Sequence, residues 1–276
     1  MLSMEESQMG LLEGKKALVI GVANKMSLAW AIARAMHAQG AHVALGCVEG
    51  ARKRVEKLGR EIGCDQVLVC DVRKDDEIEG LFQRIGDLFQ GRLDILVHSI
   101  AYADLKYLGG EFIGVTRGAW NEALEISAYS FVACMRAARN LMRAAEEGAS
   151  AMTLTYSGGR EVVPGYNIMG IAKAALESSV RYLAYDLGPE KIRVNAISPG
   201  PVRTISALAV AGFETGLKTM EEHAPLLRNV LVEEVAHTAV FLASSLSSAI
   251  TGCILPVDAG AHILSRPSIA RRELKR

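Results

Sequence analysis

The sequence has few cysteines, few aromatic residues and no excess of either charge. Its five cysteines show no C-x-x-C spacing, so neither a zinc site nor a disulfide framework is indicated. Aromatic residues make up 5% of the chain, which argues against a platform for stacking bases or sugars. Because 31 Lys and Arg residues balance 31 Asp and Glu residues, the charge gives no reason to expect nucleic acid or an anionic membrane as partner.

Long hydrophobic runs and an export signal are also lacking. No stretch approaches the ~18 to 20 apolar residues of a membrane span, and the first residues are acidic where a secretory signal needs positive charge. Half of the 276 residues are hydrophobic, which excludes general disorder and supplies a large core. We therefore expect a cytoplasmic protein without a membrane or a metal as partner.

Short aliphatic strands alternate with amphipathic helices along the chain, which is typical of right-handed βαβ units. The pattern predicts one doubly wound Rossmann-type α/β domain over residues 1–276, with a seven-stranded parallel sheet and helices on both faces. Flexible tails are expected at 1–10 and 264–276, and a helical lid at 204–222. Strands are predicted at 16–20, 42–45, 66–70, 93–97, 151–155, 193–197 and 254–257, and helices at 28–39, 51–62, 75–89, 119–147 (interrupted near 126–128), 166–187, 204–222 and 233–243.

The segment GVANKMSLA, residues 21–29, follows the first predicted strand and leads into a helix. It is not G-x-G-x-x-G, but Gly21 can form the tight turn, and Ser27 can cap the helix and reach a phosphate. An ordinary capped loop explains this segment alone equally well.

Further strand ends point to a nucleotide cleft, because ligands of such sheets lie across the carboxyl ends of the strands. Asp71 follows the third strand, where a carboxylate can accept a hydrogen bond from an adenine amino group. The run His98 to Ala101 ends the fourth strand with small and polar groups. After the second strand, Glu49 favours NADH, whereas the basic run Arg52 to Arg54 is more typical of a solvated helix face than of a phosphate clamp.

Residues 153–177 carry the most specific pattern. Tyr156 closes a strand, and Tyr166 and Lys173 lie seven residues apart, about two helical turns, on one face. A free phenol has a pKa of about 10, so a nearby ammonium is expected to favour its ionised form and to stabilise an enolate oxygen. A buried Tyr with a Lys reaching solvent is the simpler explanation for an isolated pair, but the nucleotide-type strand ends favour a catalytic pair.

After the sixth strand, Ser198 to Thr204 forms a proline-rich turn whose backbone and threonine hydroxyl can hold a nicotinamide carboxamide. The apolar, glycine-interrupted run 205–220 that follows is typical of a flexible lid over a hydrophobic substrate. An ordinary surface helix remains an alternative for that run.

These motifs together resemble the short-chain dehydrogenase/reductase superfamily from about Leu11 to Ile263. Within it, the seven-residue spacing of Tyr166 and Lys173, with Tyr156 ten residues upstream, resembles bacterial enoyl-acyl-carrier-protein reductases. The chain departs from the usual family residues at Val48, Ala101 and Pro199, none of which is a reacting group.

The resemblance implies NADH-dependent reduction of the 2,3 double bond of trans-2-enoyl thioesters in fatty acid biosynthesis, with NADPH as a possible cofactor. It also implies a cytoplasmic homotetramer whose partner is an acyl-carrier protein. Tyr156, Tyr166 and Lys173 would be catalytic, with Lys173 also on the nicotinamide ribose. The dinucleotide would contact Gly21, Ser27, Leu28, Val48, Asp71, Val72, Ser99, Ile100, Ala101, Pro201, Val202, Arg203, Thr204, Ile205 and Ser206, and the acyl chain Ala103, Tyr156, Met169 and Phe213.

Two other functions stay open at this stage. A reductase or dehydrogenase of the same superfamily could act on a carbonyl or hydroxyl group, but its usual four-residue spacing would need a lysine at Gly170. The other is a nucleotide-binding scaffold without catalytic activity, which is disfavoured because every candidate reacting group is present.

Overall fold

Seven parallel strands form a single sheet in the computed structural model, which describes residues 10–208, 210 and 212–264. The strand order β3-β2-β1-β4-β5-β6-β7 confirms the predicted single doubly wound α/β domain. Apart from Gly10 and Leu264, the two predicted flexible tails lie outside the described residues. The strands are β1 Lys16–Ile20, β2 His42–Cys47, β3 Val67–Val69, β4 Ile95–His98, β5 Ala149–Leu154, β6 Ile192–Pro199 and β7 Ile254–Val257.

Helices connect the strands and cover both faces of the sheet, as expected for right-handed parallel crossovers. Their bounds agree with those of the predicted helices to within a few residues, except over residues 204–222. The helices are α1 Leu28–Ala38, α2 Arg52–Glu61, α3 Asp75–Leu88, α4 Arg117–Leu124, α5 Ser130–Arg143, α6 Asn167–Leu187, α7 Ile205–Leu208, α8 Phe213–His223 and α9 Val232–Ala243. The predicted interruption near 126–128 is a π-helical segment, Glu125–Tyr129, between α4 and α5.

The predicted continuous helix over 204–222 is wrong, because the structure divides it into α7 and α8. Gly212 stands directly before α8 with a φ of +80°, a left-handed conformation that interrupts helical geometry and that glycine adopts without strain. Gly212 therefore marks a break between two helices, whereas Gly216 lies within α8.

Two apolar layers sandwich the sheet. On one face α1, α2 and α9 pack around Trp30 and Met36, and on the other α3, α5 and α6 pack around Phe82, Phe131 and Leu176. The central strands β4 and β5 are buried along their whole length, as is usual for strands covered on both sides.

The register brings the carboxyl ends of the strands to one level. Ile20, the last residue of β1, pairs with Gly46 of β2 and with His98 of β4. The order of strands reverses between β1 and β4, and a crevice opens at such a switch point, outside the strand ends. Among the described residues, no helix has the length and apolarity needed to cross a membrane.

Candidate active site

Gly21 sits at the switch point between β1 and β4. Its φ is +99°, and a Cβ there would collide with the carbonyl group of Ser99, so no other residue fits without a backbone shift. The Gly21 amide donates to Gly46 O over 2.9 Å, and the Ser99 amide donates to Ile20 O over 2.9 Å. Gly21 and Ser99 thus bring the ends of β1 and β4 into contact, as predicted for a tight turn.

The loop from Gly21 to α1 is braced by its own polar groups. The Ser27 hydroxyl caps α1 by accepting from Trp30 N over 3.4 Å, and it donates to Asn24 O over 2.7 Å. Arg54 of α2, which the sequence placed on a solvated face, donates from Nε to Ala23 O over 2.5 Å. The loop therefore presents the amino end of α1 to the crevice, where the helix dipole favours an anion.

The ends of β2 and β3 carry exposed charged groups. Val48 is 56% exposed beside the turn Glu49–Ala51. Asp71 pairs with Arg73 at 2.5 Å, and this hydrogen-bonded guanidinium lowers the pKa of the Asp71 carboxyl. Asp71 is therefore an ionised acceptor at neutral pH, and Val72 behind it is buried.

Tyr156 and Tyr166 come together where β5 ends. Their ring centroids are 5.1 Å apart in an edge-to-face arrangement, with Tyr166 directly before the first residue of α6. The short turn Ser157–Gly159 lies against them, and a Cβ at Gly158 would be 2.5 Å from Cδ1 of Tyr166. The loop glycine thus permits the close approach that fixes the Tyr166 ring.

Lys173 projects from α6 and is 4% exposed. Its Nζ donates one hydrogen bond to Leu154 O at the end of β5, over 2.7 Å. Burial lowers the pKa of this ammonium to about 8, and the charge of Glu177 acts in the opposite direction. Lys173 therefore joins α6 to the strand end next to Tyr156, with two N–H groups left for a ligand.

The expected activation of the phenol by Lys173 is wrong. Burial raises the pKa of Tyr166 above its usual value, and the neighbouring Tyr156 raises it further. Burial likewise raises the pKa of Tyr156. Tyr166 is therefore a neutral hydrogen-bond donor at physiological pH.

Part of the predicted acyl pocket is assembled beside Tyr166. Met169 is buried in a small apolar cluster with Leu108, and Ala103 and Tyr166 pack against it. Phe213, at the start of α8, is not among the described members of this cluster. Ala103 and Met169 thus share one apolar cluster with Tyr166, and Tyr156 contacts the Tyr166 ring.

The turn after β6 places the remaining predicted cofactor residues beside α7. Val202 is buried, and the Thr204 hydroxyl accepts from Ala207 N over 3.1 Å at the start of that helix. Arg203 pairs with Glu214 of α8 at 2.6 Å. Ile205 and Ser206 are exposed on α7, while Pro201 is partly buried. The remaining predicted cofactor residues are Ile100 and Ala101, which follow β4, and Leu28, which begins α1. Their side chains cannot donate or accept a hydrogen bond.

A buried polar cluster near Lys173 was not predicted from the sequence. The His98 ring is fully buried, with Nε2 2.8 Å from Ser130 Oγ and Nδ1 3.2 Å from Thr153 Oγ1. Burial, with the charge of Lys173 adding to it, holds the pKa of His98 at about 3, so the ring is neutral. Only the position of His98 at a strand end indicated that it faces the site.

Ser127 of the π-helical segment was missed as well. Its hydroxyl donates to Tyr102 O and accepts from Tyr102 N, both over 2.9 Å. These two hydrogen bonds to the backbone of Tyr102 fix the chain between Ala101 and Ala103. No local sequence pattern indicated this contact, because its two residues lie 25 positions apart along the chain.

These groups fit a nicotinamide dinucleotide. A helix amino end faces the switch point, an ionised carboxylate lies at the β3 end, and a buried ammonium with free N–H groups lies beside the tyrosines. Among the described residues, no group of three or more His, Cys, Asp or Glu side chains is placed to hold a metal ion.

Comparisons with known proteins agree with this geometry. The family model described as enoyl-(acyl carrier protein) reductase matches residues 21–262. The chain is 46% identical to the enoyl-[acyl-carrier-protein] reductase [NADH] of a Nostoc species, over 92% of this chain and 98% of the relative. It is 43% identical to the Escherichia coli protein of the same name, over 92% and 97%.

Solved structures give the same result. The Bacillus cereus enoyl-acyl carrier protein reductase with NADP+ and an indole naphthyridinone is 45% identical, with a TM-score of 0.90 over 94% of this chain and 100% of that one. The enzyme of Anaplasma phagocytophilum in complex with NAD is 41% identical, with a TM-score of 0.89 over 94% and 98%. The chain therefore belongs to the enoyl-(acyl carrier protein) reductase family.

Proposed function

We propose that this protein is an NADH-dependent enoyl-[acyl-carrier-protein] reductase, an oxidoreductase that saturates the 2,3 double bond of trans-2-enoyl thioesters in fatty acid biosynthesis. The observation that carries the proposal is the unit formed by Tyr156, Tyr166 and Lys173 at the end of β5. The family relationship supplies the substrate class.

When bound, NADH would supply the hydride for the β-carbon of the enoyl thioester, and a proton from solvent would complete the saturation at the α-carbon. Tyr166 donates a hydrogen bond to the thioester carbonyl oxygen, where negative charge develops during this step. Its raised pKa keeps the phenol protonated for that purpose. Tyr156 packs edge-on against the Tyr166 ring and limits its movement. In this proposal Tyr156 lines the acyl pocket with Ala103 and Met169, which share a cluster with Tyr166, and with Phe213 from the start of α8.

Lys173 holds the nicotinamide end of the cofactor. With one N–H on Leu154 O, the ammonium offers its other two donors to the ribose hydroxyls. Its positive charge also faces the carbonyl oxygen that becomes negative. The amino end of α1 would hold the pyrophosphate, and Asp71 would accept a hydrogen bond from the adenine amino group.

The remaining assignments extend the same proposal. Residues 204–222, with α7 and α8, act as the substrate lid, and the Arg203–Glu214 pair links the turn before the lid to α8. The enzyme is cytoplasmic, receives its substrate on acyl-carrier protein and assembles as a homotetramer. Tyr182 and Tyr185 on α6, 72% and 83% exposed in the single chain, support an interface between copies.

A carbonyl or hydroxyl oxidoreductase is the second candidate, and the structure gives it less support. The lysine of the four-residue spacing would stand at Gly170, where a Cβ would lie 2.7 Å from Gly158 O. No side chain fits there unless the loop withdraws from α6.

The test follows the loss of NADH and, separately, of NADPH absorbance with a crotonyl thioester and with a β-ketoacyl thioester. We expect turnover with NADH and the crotonyl thioester. Turnover restricted to the β-ketoacyl thioester would support the second candidate instead, and a protein that binds NADH but reduces neither would be a nucleotide-binding scaffold.

A further inference from the structure

A buried carboxylate lies one helical turn beyond Lys173. Glu177 is 3% exposed, and the four-residue separation places it on the same face of α6 as Lys173. One of its oxygens, Oε1, accepts a hydrogen bond from Thr155 Oγ1 over 2.8 Å. A carboxylate is expensive to bury, so a specific partner and a nearby positive charge are needed to keep it there.

Two successive turns of α6 thereby hold two successive residues at the end of β5, Leu154 and Thr155. Lys173 holds the carbonyl of Leu154, and Glu177 holds the hydroxyl of Thr155. Tyr156 is the next residue, so its backbone starts from a point fixed on both sides. A Cβ at Gly159 would lie 3.1 Å from Glu177 Oε1, which shows that the following loop also rests on this carboxylate.

Glu177 also supplies the negative charge near Lys173. Its charge raises the pKa of the ammonium, which burial lowers. The other titratable groups that face this region are neutral: His98 from β4, and the phenols of Tyr156 and Tyr166 from the loop and the start of α6. The charge state of Lys173 therefore depends on the balance between burial and Glu177.

We propose that Glu177, together with Thr155, is a positioning residue of this enzyme: it fixes the strand end that carries Tyr156 and keeps Lys173 in its charged form. The proposal rests on the proposed function, because the charge of Lys173 matters only where that side chain serves the cofactor and the developing negative charge. Glu177 touches neither directly and acts through its neighbours.

The central test is Glu177→Gln, which keeps size and hydrogen-bonding capacity but removes the charge. In the wild type, the ammonium is lost as pH rises through about 8. Without the carboxylate it should be lost at lower pH, so the alkaline limb of kcat/KM should move down by about one pH unit. The pH dependence of the NADH dissociation constant, measured by fluorescence, should move in the same direction.

Asp186→Asn is the matched control, because it removes a negative charge from the exposed surface of the same helix. Its two pH profiles should coincide with those of the wild type. If the profiles of Glu177→Gln also coincide with the wild type, Glu177 does not maintain the charge of Lys173 and the proposal is overturned.

A second pair of variants tests the contact with the strand end and remains informative if Glu177→Gln fails to fold. Thr155→Val removes the hydroxyl and should lower kcat about ten-fold with a smaller change in KM, because a small displacement of the reacting groups is costly. Thr155→Ser keeps the hydroxyl and should stay within about two-fold of the wild type. Equal kcat values for the two variants would contradict the proposal.

Failure of the proposed function would look different. It would appear in the wild type itself, as no oxidation of NADH with the crotonyl thioester. The NADH-binding profiles need no turnover, so they compare Glu177→Gln with the wild type even if the natural substrate is another one.

Discussion

At one end of the cleft, the proposed reacting groups come from one stretch of chain, residues 154–177, and are held by buried contacts: Lys173 on Leu154 O and Tyr156 against Tyr166. At the other end, the proposed nucleotide contacts come from the ends of several strands, and the charged side chains there are exposed and paired with one another. The chemistry thus depends on a few fixed side chains, whereas nucleotide binding is spread over backbone groups and a helix end. Single substitutions should therefore be costly at the first end and mild at the second.

Tyr166→Phe should show the largest effect on turnover. It removes the one donor to the developing oxyanion while leaving the ring contact with Tyr156, so kcat should fall about 10- to 1000-fold. NADH affinity, measured by fluorescence titration, should change little. Unchanged turnover would remove Tyr166 from the reaction.

Lys173→Ala should act on the cofactor. Loss of the buried ammonium removes the proposed ribose contacts and the bond to Leu154 O, so the NADH dissociation constant should rise by about 10- to 100-fold. Circular dichroism should show a folded protein, which separates the loss of binding from loss of structure. Equal dissociation constants for variant and wild type would refute the assignment of Lys173 to the ribose.

Gly158→Ala tests whether the chemical end depends on close packing rather than on its polar groups alone. The new methyl group would lie 2.5 Å from the Tyr166 ring, so the ring must move. This displacement of Tyr166 should lower kcat about ten-fold. Gly118→Ala, at a position in α4 with open space around the Cβ, is the control and should leave kcat unchanged. If both variants keep full activity, Tyr166 is not fixed by the loop.

Asp71→Asn should have the smallest effect. Arg73 of the Asp71–Arg73 pair is exposed and Asp71 is partly buried, and pairs near the surface contribute only about 0.2 to 1 kcal/mol to stability. The amide keeps one acceptor for the adenine amino group, so NADH affinity should fall only about two- to five-fold. A loss as large as that of Lys173→Ala would erase the contrast between the two ends.

The sequence predicted the fold well because its information is local. Strands such as Lys16–Ile20 and Ile254–Val257 are apolar runs bounded by breaks, and the structure has them at the predicted residues. The helix over 204–222 was misjudged because a left-handed glycine at 212 ends helical geometry while the apolar pattern continues. Pattern alone cannot report a backbone φ.

The candidate site was predictable where the residue spacing carries the geometry. Tyr166 stands directly before α6 and Lys173 lies within it, so the seven-residue spacing predicts that both lie on one side of that helix. The raised pKa of Tyr166 was not predictable, because it depends on how completely the surrounding layers exclude water. The contacts of His98 with Ser130 and of Ser127 with Tyr102 join residues far apart in sequence, and only the folded chain reveals them.

The buried imidazole of His98, at the end of β4, determines which of the neighbouring hydroxyl groups can donate to a carbonyl. Both hydroxyls beside His98 are placed to donate to carbonyls, Ser130 to Ile126 O and Thr153 to the carbonyl of His98 itself. A neutral ring carries one N–H, so one of its nitrogens must instead receive a hydrogen from a hydroxyl. The hydroxyl that donates to the ring no longer donates to its carbonyl, which is Ile126 O for Ser130 and His98 O for Thr153. The tautomer of His98 therefore determines which of these two carbonyls loses its donor.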